Sequence, residues 1–201
     1  MIASLLLALA CSSTGRVDVH EPTLFPVEFG RIRSSLWVEN WYGYTSEDSG
    51  TALLFLSDEE ADCDDALSWG PYYAYAGDDL LTDKGHGVLV LYMWGAWYGD
   101  DGGGEGGFEG TYASVPGYVL DEEGTVMRRA YVLAWSEGVL YYTSGYGGGG
   151  GYATVSDYGS GEVSGRVDVT ALDVGYVANN CGELPSYYDT YDYTYDGWTS
   201  P

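Results

Sequence analysis

From about residue 31 onward, the chain alternates short apolar runs with clusters of Gly, Asp, Ser and Pro, and no segment sustains a capped helical period. Four runs are dense in aliphatic and aromatic residues, at positions 36–38, 53–56, 88–94 and 131–135. Such runs are typical of strands that are buried on both faces. The pattern predicts an all-β domain, a single antiparallel β-sandwich or jelly-roll-like fold of about eight strands.

The segment 162–174 has the clearest strand pattern. Val163, Val167 and Val169 fall on one face, whereas the positions facing the other way carry charged or hydroxyl side chains. This alternation predicts a strand with one buried and one solvated face. The phase of the alternation changes at Leu172, which predicts a β-bulge or a bend near Ala171.

Three other segments have simple local interpretations. Ser57 offers an N-cap ahead of several acidic residues, so we expect a short helix at 58–69. The segments 99–110 and 145–151 are dominated by Gly and are expected to be loops at an end of the sheet. The acidic stretch 182–201 alternates Tyr with Asp and Thr, so it is either a C-terminal tail or an edge strand.

Composition narrows the class of protein. The 201 residues suffice for one domain, and 45% hydrophobic with 16% aromatic residues is too much apolar material for a disordered chain. The 31 acidic residues stand against 7 Lys and Arg, which gives a formal net charge of -24. This charge repels nucleic acid, so we expect no nucleic-acid partner. Most of the acids are expected to keep a Tyr-rich, Gly-rich exported chain soluble.

An apolar run near the N-terminus ends at a cysteine. Residues 2–10 are apolar except for one Ser, a length that suits a signal-peptide h-region and is too short to span a bilayer. The stretch ALAC that ends at Cys11 resembles a bacterial lipobox, which implies diacylglycerol on Cys11 and anchoring to a lipid bilayer. The implied organisation is a signal peptide at 1–10, a polar tether over 11–30, and a β-sandwich domain over 31–181. The alternative is a plain secretory signal that is cleaved near Ala10.

The cysteine count agrees with a lipidated Cys11. The chain has three cysteines, so lipid on Cys11 leaves Cys63 and Cys181 as an even pair. A disulfide between Cys63 and Cys181 is expected in an oxidising compartment. It would close a loop of more than 100 residues and stabilise the domain by about 4–5 kcal/mol in the chain-entropy model.

Motifs for catalysis and for transition-metal binding are absent from the sequence. Only His20 and His86 are available, no G-x-S-x-G elbow occurs, and neither HExxH nor paired CxxC is present. We interpret His86, within DKGHG, as a turn residue. We therefore assign no catalytic residue and expect no cofactor.

Calcium is a weak candidate ligand of the acidic residues. Hard cations need several oxygen ligands from a compact loop, and Asp58, Asp62 and Asp64 lie in a carboxylate-rich segment. The spacing begins like an EF-hand, but Ala66 and Leu67 occupy places that need a ligand and a Gly. The preferred interpretation is a solvated acidic surface.

Aromatic residues offer a second kind of candidate site. Trp94, Trp97 and Tyr98 lie beside a Gly-rich segment and would suit stacking on a glycan, although strand aromatics more often pack in a core. The chain loosely resembles uncharacterised β-rich lipoproteins of Gram-negative bacteria, through its leader, the Cys after the run 53–56, and the strand EVSGRVDV.

The resemblance implies an exported lipoprotein of the outer membrane or cell surface, with the periplasmic side as an alternative. We expect a non-enzymatic structural or binding protein of the cell envelope, with a glycan or an envelope protein as partner. The alternatives are an extracellular carbohydrate-binding module that uses surface Trp and Tyr, and a hydrolase with paired carboxylates.

Overall fold

The structure is a computed structural model that describes residues 18–19, 29–39, 49–68, 85–95, 107–114, 128–136, 139–142 and 150–184. These residues form ten strands and one helix. The strands are β1 (Asp18–Val19), β2 (Ser34–Glu39), β3 (Ser49–Ser57), β4 (His86–Gly95), β5 (Gly110–Ala113), β6 (Arg129–Ser136), β7 (Val139–Tyr142), β8 (Gly151–Tyr158), β9 (Glu162–Val169) and β10 (Leu172–Glu183). The helix α1 (Cys63–Ser68) lies between β3 and β4.

Eight of the strands close into a barrel that consists of two antiparallel sheets. The first sheet has the order β2-β3-β4-β6, and the second has the order β5-β8-β9-β10. Two parallel contacts join the sheets: β10 pairs with β2, and β5 pairs with β6. We call these contacts the β10–β2 seam and the β5–β6 seam. β1 adds to β10, and β7 adds to β6.

The all-β prediction with one short helix is confirmed, but the predicted sandwich or jelly roll is wrong because the sheet closes into a barrel. The alternation within each strand sets which side chains face the core, and this is the same for a sandwich and for a barrel. The difference lies in the two seams, which join strands that are far apart in the sequence. Among the described residues, the β5–β6 seam has one residue pair, Ala113 with Arg129.

The barrel interior is filled by apolar and aromatic side chains. Trp37 is one of them and is fully buried. Its ring is 5.0 Å from Tyr92 and 5.2 Å from Phe108, measured between ring centroids. Tyr92 packs edge-to-face on Tyr112 at 4.8 Å, and its hydroxyl lies 3.1 Å from that of Tyr176. The interior is therefore an aromatic core that contains a buried hydroxyl pair.

A second apolar cluster covers the outer face of the first sheet. It comprises Leu36, Val38, Leu53, Phe55, Ala66, Leu89, Leu91, Trp135 and Leu184. Phe55 stacks on Trp135 at 5.2 Å. The four apolar runs of the sequence thus lie in strands that are buried on both faces, as their density predicts.

The segment 162–174 is a hairpin and not one bent strand. β9 ends at Val169, and β10 begins at Leu172 and pairs back along it. The change of phase at Leu172 therefore marks a two-residue turn, and the predicted bulge near Ala171 is wrong. The inward positions Val163, Val167 and Val169 are buried as predicted.

The helix begins later than the sequence predicts. Its N-cap is Asp62, whose Oδ1 accepts from the Asp65 N–H at 3.0 Å, while Asp65 Oδ2 accepts from the Asp62 N–H at 3.0 Å. This reciprocal arrangement is a capping box, which stabilises a helix that begins directly after Asp62. Ser57 is therefore not the N-cap. The hydroxyl of Ser57 instead accepts from the Glu59 N–H at 3.0 Å.

The predicted disulfide is present and crosses the β10–β2 seam. Cys63, the first residue of α1, bonds to Cys181 in β10 with an S–S distance of 2.06 Å. Since α1 packs on the outer face of the first sheet, the bond ties that sheet to the last strand of the second.

The described residues extend beyond both predicted edges of the domain. β1, at 18–19, lies within the predicted tether, and β10 continues to Glu183. Gly110 and Gly151 begin β5 and β8. Most of the two predicted Gly-rich loops, and positions 185–201, lie outside the described residues.

Candidate functional site

Three polar side chains form one cross-strand row at the end of the first sheet where β4 begins. Asp58 follows the last residue of β3, His86 is the first residue of β4, and Ser136 is the last residue of β6. The register pairs His86 with Ser136, and the Asp58 N–H donates to the His86 carbonyl oxygen at 3.1 Å. We call these three residues the His86 row.

The His86 row belongs to the inner face of the barrel. Its members are two positions from the core residues Leu56, Val88 and Ala134, and side chains alternate between faces along a strand. The row lies where the packed interior ends, because the side chains of His86 and Asp58 are 27% and 16% exposed. Solvent therefore reaches polar groups that the barrel framework holds in position.

Asp58 fixes the orientation of the His86 ring. Its Oδ2 accepts from His86 Nδ1 at 2.8 Å, and its Oδ1 accepts from the His86 backbone N–H at 2.7 Å. A proton on Nδ1 that is donated to the carboxylate leaves Nε2 of the neutral ring as the acceptor. The imidazole is thus arranged to take up a proton at Nε2, on the side of the ring that points away from Asp58.

The backbone immediately before His86 has a conformation that favours glycine. Gly85 has a φ of +90°, and a Cβ atom there would lie 2.4 Å from the Glu59 side chain. A residue with a side chain is therefore disfavoured immediately before His86. The Phe29 ring lies edge-on to the imidazole at 6.4 Å, and the Gly30 N–H points at Asp58 Oδ2 from 3.4 Å.

A separate polar cluster occupies the other end of the first sheet and stabilises the β10–β2 seam. Glu39 Oε1 accepts from the Tyr158 hydroxyl at 2.6 Å and from Asn180 Nδ2 at 3.1 Å. Burial, together with the carboxylate of Glu39, raises the pKa of Tyr158 well above its ordinary value. The backbone carbonyl of Glu39 also accepts from the Leu184 N–H at 3.0 Å. Every partner of Glu39 named here lies in or next to the second sheet.

The β5–β6 seam is stabilised differently. The Arg128 guanidinium lies over the Tyr112 ring at 5.7 Å, and the Arg128 carbonyl accepts from the Ala113 N–H at 2.9 Å. Burial raises the pKa of Tyr112 to about 12, and the guanidinium opposes that shift. The Tyr112 hydroxyl donates to the Phe108 carbonyl at 2.6 Å.

The weak calcium candidates do not form a ligand set. Asp58 is hydrogen-bonded to His86, and Asp62 is engaged in capping α1. Within the described ranges, no group of three or more His, Cys, Asp or Glu side chains is arranged to hold a metal ion. In the structure Asp58 is a hydrogen-bond partner of His86, Asp62 caps α1, and Asp64 is exposed, so calcium binding by this segment stays a prediction.

The other predicted site residues lie mostly outside the described part of the chain. Trp94 belongs to β4, but its side chain is not among those described, and Trp97, Tyr98 and Cys11 lie outside the described residues. Glycan stacking and lipidation therefore stay predictions.

The sequence signal for the His86 row is the alternation of inward positions along β4. The interpretation of His86 as a turn residue is wrong, because His86 begins β4 and lies opposite Asp58 on one side and Ser136 on the other. Extending the inward alternation of β4 back from Val88 reaches His86. The register with β3 and β6, which brings the three residues together, is a tertiary property.

No protein-family model matches the chain, and comparison with curated proteins and with solved structures found no match. Within the described residues, no helix has both the length and the apolar character needed to cross a membrane.

Proposed function

We propose that this chain is an exported protein of the cell envelope that is anchored to a bilayer through an acyl group on Cys11. The observation that supports the proposal best is the Cys63–Cys181 disulfide. Disulfides persist in oxidising compartments, and this one leaves Cys11 as the odd cysteine of three. Acylation gives the remaining thiol a role that follows from the lipobox resemblance.

In this proposal the barrel is a scaffold for binding or for structure. Its interior is occupied by side chains, among them the fully buried Trp37, Tyr92 and Tyr112. A partner is therefore expected on the outer surface or at the ends of the barrel. The net charge of -24 disfavours nucleic acid as that partner.

Intact-mass analysis of the full chain, expressed in a Gram-negative host and extracted from membranes, tests the proposal. The expected mass is that of a chain beginning at Cys11 with added diacylglycerol and acyl groups. Cys11→Ser is the control, and it is expected to abolish the added mass and the membrane association. A wild-type chain that is recovered soluble with an unmodified N-terminus would refute the anchor. An unmodified chain in the cytosol would refute export as well.

A further inference from the structure

We propose that the His86 row is a reactive site in which Ser136 is the nucleophile, His86 the general base, and Asp58 the positioning residue for the imidazole. The reaction class is acyl transfer from a carboxylic ester. This inference goes beyond the proposed function, which assigns no reaction. It departs from the expectation of a non-enzymatic protein.

The register provides the first step of the argument. Directly opposed residues on neighbouring antiparallel strands have Cβ atoms about 4.5–5.5 Å apart, and His86 and Ser136 are opposed in this way on the same face. Asp58 approaches His86 from β3, and Ser136 approaches it from β6, which lies on the other side of β4. His86 therefore lies on the strand between the one that carries the carboxylate residue and the one that carries the serine.

The hydrogen bonds provide the second step. The donation from Nδ1 to Asp58 at 2.8 Å directs Nε2 away from the β3 side. In the structure the Ser136 hydroxyl and the imidazole share no hydrogen bond. Catalytic hydrogen bonds are often long in a free enzyme and shorten when substrate is bound. The arrangement of nucleophile, base and orienting carboxylate is recognised by these roles and not by sequence order.

The reaction balances with water as the second substrate. The Ser136 hydroxyl oxygen attacks the ester carbonyl carbon while its proton passes to His86 Nε2, and the imidazolium then protonates the departing alcohol. An acyl-serine and a free alcohol result. Water attacks the acyl-serine with His86 again accepting a proton, which is returned to the Ser136 oxygen as the carboxylic acid leaves. Asp58 stabilises the imidazolium and does not take the proton.

The surroundings of the row indicate which esters it accepts. Asp58, Glu59, Glu60 and Asp62 lie close together in the sequence at this end of the barrel, and among the described residues Arg33 pairs with Glu60 at 3.5 Å. A negatively charged substrate would be repelled by this end of the molecule and by the net charge of -24. The apolar ring of Phe29 lies beside the imidazole. The preferred substrate is therefore a neutral or cationic ester with an apolar acyl group.

The direct test is labelling of the purified full chain with a neutral alkyl fluorophosphonate, which transfers its phosphonyl group to an activated serine oxygen with loss of fluoride. We expect one adduct, which peptide mapping assigns to Ser136. S136A is expected to abolish it. The matched control is S156A, because Ser156 is a strand serine remote from His86 in the second sheet, and it should leave the labelling rate unchanged.

Substitutions of the two supporting residues separate a reactive site from an incidental one. H86Q is expected to lower the labelling rate by roughly 10²–10⁴-fold, the usual contribution of a general base. D58N is expected to lower it by about 10²-fold or more, since the imidazole loses the partner that fixes its tautomer. Circular dichroism confirms that each variant is folded. If D58N does not fold, S136A and H86Q still decide the question.

The hydrolysis of p-nitrophenyl butyrate, a neutral ester, provides the second readout. We expect a rate that depends on one deprotonation in the wild-type chain, and loss of that pH dependence in H86Q. A folded H86Q variant that labels at the wild-type rate, or a wild-type chain without an adduct at Ser136, would overturn the proposal. Neither result bears on the acyl anchor, because that is measured by the mass at Cys11.

Discussion

The two sheets of the barrel contribute equally to its interior but differ on their outer faces. In the first sheet, β2 is buried along nearly its whole length, and Trp135 on β6 is 1% exposed on the outer face. In the second sheet, β9 and β10 alternate buried and exposed positions, and Tyr152 on β8 is 60% exposed. The first sheet is thus covered on both faces, whereas the second sheet is covered on its inner face and exposed to solvent on its outer face. Four predictions concern the two sheets and the contacts that join them, in order of decreasing expected effect.

The largest effect is expected from the bond that joins the two sheets. Replacing Cys63 and Cys181 with Ser should lower the free energy of unfolding by about 5 kcal/mol, because the bond closes a loop with a sequence separation of 118. Guanidinium unfolding of the oxidised and the reduced chain measures the loss. The double-Ser variant serves as control, since reductant should not change its stability. A loss below about 1 kcal/mol would show that the seam contacts suffice alone.

Truncation of an outer aromatic residue should affect the two sheets unequally. Trp135→Ala removes a ring that stacks on Phe55 at 5.2 Å and is expected to cost about 4 kcal/mol. Tyr152→Ala, on the solvent side of the second sheet, should change stability by less than about 0.5 kcal/mol. Urea unfolding of both variants gives the comparison. Equal losses would contradict the assignment of one covered and one open outer face.

Two glycines compare the inner and outer faces of the second sheet. A Cβ at Gly165 would lie 1.9 Å from the Thr154 carbonyl oxygen and 2.6 Å from the Tyr176 hydroxyl, whereas a Cβ at Gly175 meets nothing within 4 Å. Gly165→Ala should therefore cost about 3 kcal/mol through overpacking, and Gly175→Ala less than about 0.5 kcal/mol. Thermal melting of the two variants measures the difference. A tolerated Gly165→Ala would mean that this inner face is loosely packed.

The smallest effect concerns the hydroxyl of Tyr112 near the β5–β6 seam and appears only at high pH. Burial raises the pKa of Tyr112 from 10.0 to about 12, so the folded chain keeps a proton that the unfolded chain releases. The contribution is present below pH 10 and is lost as the pH rises through 12, by roughly 2 kcal/mol. Urea unfolding between pH 9 and 12 should show a shallower decline for Tyr112→Phe. A difference between the two chains that is constant over this range would contradict the prediction.

A strand could be predicted from the sequence where the pattern of its own residues shows which faces it buries. The dense runs that became β2, β3, β4 and β6 and the alternation in β9 follow from the faces each strand buries. The choice between sandwich and barrel was not predictable, because it depends on a parallel pairing of β10 with β2 that leaves no local periodicity. The capping box of α1 is not evident from the sequence, because it uses Asp62 at N-cap and Asp65 at N3 in place of the usual Ser or Thr with Glu.

The candidate site was less predictable than the fold. The disulfide partners followed from the cysteine count, since only two remained after Cys11. His86 carries no motif, and its two partners come from the strands on either side of β4, which the register aligns. Catalytic motifs are defined by the spacing of residues along the chain. Asp58, His86 and Ser136 are neighbours only across the sheet, so spacing could not bring them together.

The position of β10 has a consequence for the order of events during synthesis. It is the last described strand, and it pairs with β9, with β2 and with β1. A ribosome adds about 5–20 residues per second. β10 is therefore synthesised on the order of 10 s after β2, and the edge of β2 has no β10 to pair with during that time. Until then the nascent chain has open strand edges that invite pairing with other molecules. A chaperone that shields such edges would therefore be needed most for chains truncated before Leu172.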